Sequence, residues 1–212
     1  MCYLPAFPFP SPQTSEADRP IHRLTKSTTS FTMIIYKDKL FGDELFTDAS
    51  KPKLDEDGIC FVFDTKTITV KEGDIDGALL GANASQEEAS EESEVATVSG
   101  FDFVIANRLK EVEPAISDKK SFQFWAKTFF KQLMEKVKAE NPDKLDEIKA
   151  AGPKFVTAWA AKAKDLSFYG AEPREDDEGV AVQGNIVVVE WNDDGITGKA
   201  HCLKAGLVEE KV

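Results

Sequence analysis

Histidine, cysteine and methionine are scarce in this chain, at two, three and three among 212 residues. His22 falls in a segment read below as an extension, which leaves His201 as the sole imidazole of the folded part. A lone histidine in a strand pattern is ordinarily structural. Cys2, Cys60 and Cys202 are far apart and odd in number. That excludes a disulfide framework, fits a reducing compartment and makes a cytoplasmic location the expectation. No two of them have zinc-site spacing. Cys60 and Cys202 lie in apolar strand patterns, where burial raises a thiol's pKa and keeps it inert. A nucleophile elbow, an HExxH helix and a GxxxxGK loop are also missing, which removes common routes to hydrolase, metalloprotease and nucleotide chemistry. No apolar run approaches the roughly 18 residues of a membrane span, so no membrane insertion is expected. Positive charge is short as well: 26 Lys and Arg face 38 Asp and Glu, a formal charge of -12. The average surface therefore repels nucleic acid and anionic membranes, and any anionic partner needs a local basic patch.

What is present is segmental. Residues 1–32 carry Pro5, Pro8, Pro10 and Pro12, then a Ser/Thr-rich stretch with Arg19, Arg23 and Lys26. This composition predicts a disordered N-terminal extension. No basic stretch precedes its apolar residues and the prolines interrupt them, which disfavours a secretory signal. A transit peptide is one reading of it; an extension upstream of a functional start at Met33 is the other. From Met33 the remaining 33–212 has the length of one domain with a substantial core. Residues 33–36 read as a short strand, and 59–70 alternate like a hairpin or a bent pair of strands. Residues 77–100 enclose Glu87, Glu88, Glu91, Glu92 and Glu94 among Ala and Ser, which predicts a mobile acidic loop at about 84–96. Strand character resumes at 101–106, and 180–191 and 199–208 read as further strands around the turn Asn192-Asp193-Asp194-Gly195.

Between the strand blocks lies a helical insert, about residues 117–166. At 100° per residue, Phe122, Trp125, Phe129, Leu133 and Val137 share one apolar face. Lys120, Lys127, Lys131 and Lys138 fall within about 20° of a common direction on the opposite side and form a basic stripe. A charge stripe on a helix is often a solvated face, and it is also what orients a protein on an acidic partner. Asn141 is the expected N-cap of a second helix with Pro142 at its first position and Leu145, Ile148, Phe155, Trp159 and Leu166 on its apolar side. Gly152-Pro153 inside that pattern predicts a kink or break. Strands, a helix pair and more strands, without βαβ alternation, indicate an α+β fold with an antiparallel or mixed sheet.

Two acidic stretches approach a calcium loop. Glu72, Asp74 and Asp76 precede Gly77, but Asn83 stands where a bidentate Glu should close the loop. Asp74, Asp76 and Asn83 are thus weak calcium candidates. Glu190, Asn192 and Asp194 precede Gly195 in the same way, with His201 at the closing position, and a plain turn is expected there.

Residues 33–48, MIIYKDKLFGDELFTD, resemble the start of the translationally controlled tumour protein family. Residues 75–85, IDGALLGANAS, resemble that family's segment before its flexible acidic loop, 101–112 the strand that follows, and 192–211, NDDGITGKAHCLKAGLVEEK, its final turn and strands. The likeness spans about 33–212. Phe168-Tyr169-Gly170-Ala171-Glu172 resembles the family's aromatic-Gly-Glu signature with an inserted Ala171, and the chain ends in Val212 where the family often has cysteine. The resemblance implies a β-tent-like core with a projecting helical hairpin, shared with GTPase-associated zinc chaperones and methionine sulfoxide reductases, whose cysteine pairs are missing here. It further implies a non-enzymatic regulatory role in growth and translation control, with contacts to small GTPases of the Rheb type, translation elongation factors, tubulin and, weakly, calcium. Glu44, with Asp43 beside it, occupies the position of the family's proposed GTPase contact. The alternatives are a thiol-dependent methionine sulfoxide reductase on the same fold and a calcium buffer.

Overall fold

The computed structural model describes residues 32–71, 97–112, 115–176 and 179–212. The strands among them are β1 (Ile34–Asp38), β2 (Glu44–Thr47), β3 (Lys53–Leu54), β4 (Cys60–Lys71), β5 (Thr97–Phe101), β6 (Lys110–Glu111), β7 (Leu166–Gly170), β8 (Arg174–Glu175), β9 (Ala181–Val182), β10 (Val187–Trp191), β11 (Thr197–Leu203) and β12 (Leu207–Lys211). The α-helices are α1 (Asp102–Ala106), α2 (Lys119–Glu140) and α3 (Leu145–Ala160). Every strand pairing is antiparallel. The largest sheet runs β3-β4-β11-β10-β7-β6, with β5 on β4; a second runs β12-β1-β2, and β8 pairs β9.

Apolar pattern decides how these pieces stack. The run Val187-Val188-Val189 in β10 is fully buried at each position, so this central strand is covered on both faces. Val188 joins one core with Cys60, Phe168, Leu203 and the inner residues of α2 and α3. Val187 and Val189 join another with Cys202, Phe63, Phe101 and, from the smaller sheet, Tyr36, Leu45 and Phe46. The helical hairpin therefore covers one face of the large sheet and the three-stranded sheet covers the other. Phe122, Trp125, Phe129, Leu133 and Val137 form the buried face of α2, as their spacing predicts. A capping box starts that helix: Ser121 N–H donates to Asp118 Oδ1 at 2.8 Å and Asp118 N–H donates to Ser121 Oγ at 2.9 Å. The bonds that the Ser121 N–H and hydroxyl donate to it hold the Asp118 carboxyl below its ordinary pKa.

Several expected elements differ in detail. The stretch read as a hairpin or bent pair is one continuous strand, β4, which changes partners instead of direction: Cys60 to Lys66 pair with β11 and Thr67 to Lys71 with β5. The strand expected at 101–106 ends at Phe101, and α1 follows; Phe103 and Val104 are buried in the same core, and a helix turns adjacent residues toward one side where a strand would send them to opposite faces. The stretch 180–191 is divided into β9 and β10, and 199–208 into β11 and β12 with a short 3-10 turn between. Asn141 caps the end of α2, its N–H donating to Val137 O at 2.8 Å, and makes no side-chain cap for the next helix. Pro142–Lys144 form a 3-10 turn before α3 begins at Leu145. Leu166 belongs to β7. Pro153 lies inside α3 without ending it; packing carries the helix across, since Phe155 and Trp159 beyond the proline are buried. Gly152 has a packing role, because a Cβ there would lie 3.0 Å from the Phe130 ring of α2. The readings of residues 1–31 and of the acidic loop at 84–96 lie outside the described residues.

Candidate functional site

The β1–β2 corner is built around Asp38, buried to 2% exposure. Its carboxylate accepts from Leu40 N–H and Phe41 N–H within the turn, at 3.2 and 3.1 Å, and from Asn185 N–H at 3.2 Å, just ahead of β10. Burial outweighs these donors and raises its pKa. Gly42, at φ 80, supplies the left-handed turn residue that returns the chain toward β2. Asp43 and Glu44, expected together as partner contacts, then meet different fates. Asp43 Oδ1 pairs with Arg174 at 2.5 Å, and that guanidinium sits 5.3 Å from the Phe41 ring. Glu44 opens β2 above the fully buried Leu45 and Phe46. Its side chain is half exposed and 3.5 Å from Lys37, which is also bound to Glu210 at 2.6 Å. Glu44 borders two clefts. One, of about 390 Å³, is shared with Asp43, Arg108, Lys110, Glu172 and Arg174; the other, of about 890 Å³, includes Thr47, Lys51, Phe63 and Asp102.

The second predicted surface lies on α2. Lys120, Lys127, Lys131 and Lys138 are all exposed, and none forms an ion pair with a described residue. Phe124 stands in the middle of this stripe with 72% of its surface exposed. Four residues after Lys120 and three before Lys127, it was legible as an apolar residue on the polar face, yet a search for the buried stripe passes it by.

Cys60, Cys202 and His201 are packing groups. Cys60 and Cys202 are buried free thiols that face different cores, on opposite sides of the sheet. Burial pushes Cys60 up to about 12 and Cys202 well above the ordinary thiol range. Neither is poised as a nucleophile or placed to form a disulfide with the other. His201 packs on Trp159 with ring centroids 4.5 Å apart, and burial lowers its pKa. Its Nε2 is buried without a hydrogen-bond partner, which suits a neutral ring.

The acidic stretch at 190–201 is a turn, as expected. Asp194 Oδ1 accepts from Ile196 and Thr197 N–H at 2.9 and 2.8 Å, and Gly195 takes φ 65. Its oxygens serve the turn itself. Asp74, Asp76 and Asn83 lie outside the described residues, and no cluster of His, Cys, Asp or Glu able to hold a metal occurs among those described. No described helix is long and apolar enough to cross a membrane.

Comparison with known proteins places the chain in a family. The family model described as translationally controlled tumour protein matches residues 33–208. The translationally-controlled tumor protein homolog of Danio rerio is 36% identical over 179 residues, covering 84% of this chain and 99% of that protein. That of Drosophila melanogaster is 38% identical over 182 residues, with the same coverage. Among solved structures, the translationally controlled tumor-associated protein of Schizosaccharomyces pombe aligns with a TM-score of 0.59 at 32% identity, covering 84% of this chain and 99% of that one. The translationally-controlled tumor protein of Caenorhabditis elegans aligns with a TM-score of 0.55 at 30% identity, covering 84% and 98%. The α+β architecture, the matched span and the level of identity together make this chain a member of the translationally controlled tumour protein family.

Proposed function

We propose that this protein is a regulatory binding protein of growth and translation control that engages a small GTPase of the Rheb type through the corner at Glu44. The contrast between two adjacent carboxylates supports this reading: Asp43 is tied to Arg174, whereas Glu44 stands half exposed at the rim of two clefts, 3.5 Å from a Lys37 that Glu210 holds more closely. A charge-assisted hydrogen bond to such a group contributes about 1.5–3 kcal/mol to a complex. Glu44→Val is therefore expected to weaken the GTPase complex roughly tenfold or more. The thermal midpoint should barely move, because Lys37 keeps Glu210 and exposed pairs contribute little to folding. Calorimetry of both proteins against a Rheb-like GTPase decides it. Equal binding by both, or binding by neither, retires the GTPase and leaves elongation factors and tubulin as the partners.

The lysine stripe is a second docking face, for acidic polypeptides such as tubulin tails. Lys127→Glu with Lys131→Glu should leave the fold intact, weaken tubulin binding and flatten its salt dependence. Unchanged affinity in the double variant returns these lysines to plain solvation. Calcium enters this reading only as a weak ligand of Asp74, Asp76 and Asn83, and neither docking face depends on it. The packing roles of Cys60 and Cys202 favour binding over the reductase chemistry that the same fold could carry.

A further inference from the structure

Part of the hairpin's apolar surface stays open at the edge of its own core, where Phe130, Met134 and Val156 are only partly buried. Along the outer seam of α2 and α3, Ala126, Phe130, Met134, Ile148, Pro153 and Val156 line an open trough of about 550 Å³. Gly152 lets the two helices close beneath it, with the Phe130 ring lying where a side chain would otherwise be. The charged residues lining the trough are Lys127 and Lys149, with no carboxylate among the lining residues, in a chain whose net charge is -12. Lys149 has one exposed neighbour of opposite sign, Asp146 at 3.3 Å. Lys127 belongs to both the trough and the lysine stripe, and Phe124 stands exposed one turn before it. Cationic rim and apolar floor thus adjoin, and Phe124, outside the trough's own lining, flanks that rim beside Lys127.

We propose that this trough docks an acidic amphipathic helix of a partner protein, with apolar side chains on the floor and carboxylates against Lys127, Lys131 and Lys149. The proposal rests on the reading of the lysine stripe as a docking face and adds what that reading lacks, an apolar anchor. A trough between two helices is shaped for a third, since ridges of side chains fill such grooves at axial separations of about 8–10 Å. Anchors at i, i+3 or i+4, and i+7 would follow its length, and the thioether of Met134 adapts to different side chains. A disordered acidic tail satisfies the lysines and leaves the floor and Phe124 in water. An anionic bilayer meets the net negative charge of the whole chain and cannot enter a concave seam.

The test uses the full chain and three probes: an amphipathic peptide of about 20 Leu, Ala and Glu residues with leucines along one helical face, its scrambled form, and a polyglutamate of equal charge. Fluorescence anisotropy should show the amphipathic peptide binding at least about tenfold tighter than either control. Phe124→Ser and Met134→Asp should each weaken it several-fold, and Lys127→Glu should weaken it and reduce its salt dependence. Phe124 is exposed, so its variant reports on docking even if Met134→Asp disturbs the fold. Equal binding of polyglutamate, with no effect of Phe124→Ser, overturns the helix proposal while leaving the lysine stripe as a docking face. Failure of every acidic probe retires both. Selective capture by vesicles of phosphatidylserine, lost in Phe124→Ser while the peptides fail to bind, makes this a lipid-facing surface and also overturns the proposal.

Discussion

Phe168→Ala is expected to lower stability by about 3–5 kcal/mol, the range for truncating a fully buried aromatic residue. Phe168 has no exposed surface and lies 5.5 Å, centroid to centroid, from Phe122 of the hairpin. Its backbone is held on both sides: β10 pairs with it at Val188, and its carbonyl accepts from Val112 N–H at 2.9 Å. The sheet therefore cannot move in to fill the space, and the full cavity cost remains. Urea denaturation should show a lower midpoint at unchanged slope, which marks lost stability rather than a changed unfolded state. The near-UV signal of Trp125, packed in the same core at 5.4 Å from Phe122, should weaken as well. Phe124→Ala is the control, since its side chain is outside that core and should change stability by no more than about 0.5 kcal/mol. A loss below about 1 kcal/mol at Phe168 would mean that the hairpin is not anchored on the sheet as described.

Asp38→Ala is expected to cost about 3 kcal/mol or more, because it leaves the N–H groups of Leu40, Phe41 and Asn185 without their acceptor. The damage should spread across layers. Asp38 ends β1, whereas Asn185 leads into β10 and donates through Nδ2 to Leu203 O at 3.1 Å. At Gly184 a Cβ would run into the same carboxylate, and its carbonyl accepts from Trp125 Nε1 at 3.2 Å, so one buried polar group links both sheets to the hairpin. The pH dependence has a definite sign. Burial raises the folded-state pKa of Asp38 above its unfolded value. Between those two values the native state holds more proton than the unfolded state, and stability rises as pH falls. The gap between wild type and Asp38→Ala should accordingly widen as pH drops through the raised pKa and level off below the ordinary carboxylate range. Denaturation curves at a series of pH values measure that gap, and a gap that narrows on acidification contradicts a buried Asp38.

Glu44 stands out in the sequence only through the family resemblance, whereas the lysine stripe follows from the residues themselves. The helix period alone placed Lys120, Lys127, Lys131 and Lys138 opposite the buried face, because side-chain direction on a helix repeats regularly. The trough beside them was not legible. It depends on Gly152 meeting Phe130 across two helices, a contact that neither helix's own pattern contains. The different roles of Asp43 and Glu44 were equally hidden, since Arg174, which separates them, is 131 residues away in sequence.

Local pattern by itself determined the α+β class, the hairpin, the inward face of α2 and the turn at Asn192 to Gly195, because periodicity and turn chemistry act over a few residues. Tertiary structure alone decided that β4 serves two partners in one continuous strand, that helix replaces strand after Phe101, and that α3 runs through Pro153. In each case burial against distant elements outweighs a local preference of about 1–3 kcal/mol. The same long-range packing places a buried carboxylate at Asp38 and leaves an unfilled seam between α2 and α3, since both arise only where elements apart in sequence meet.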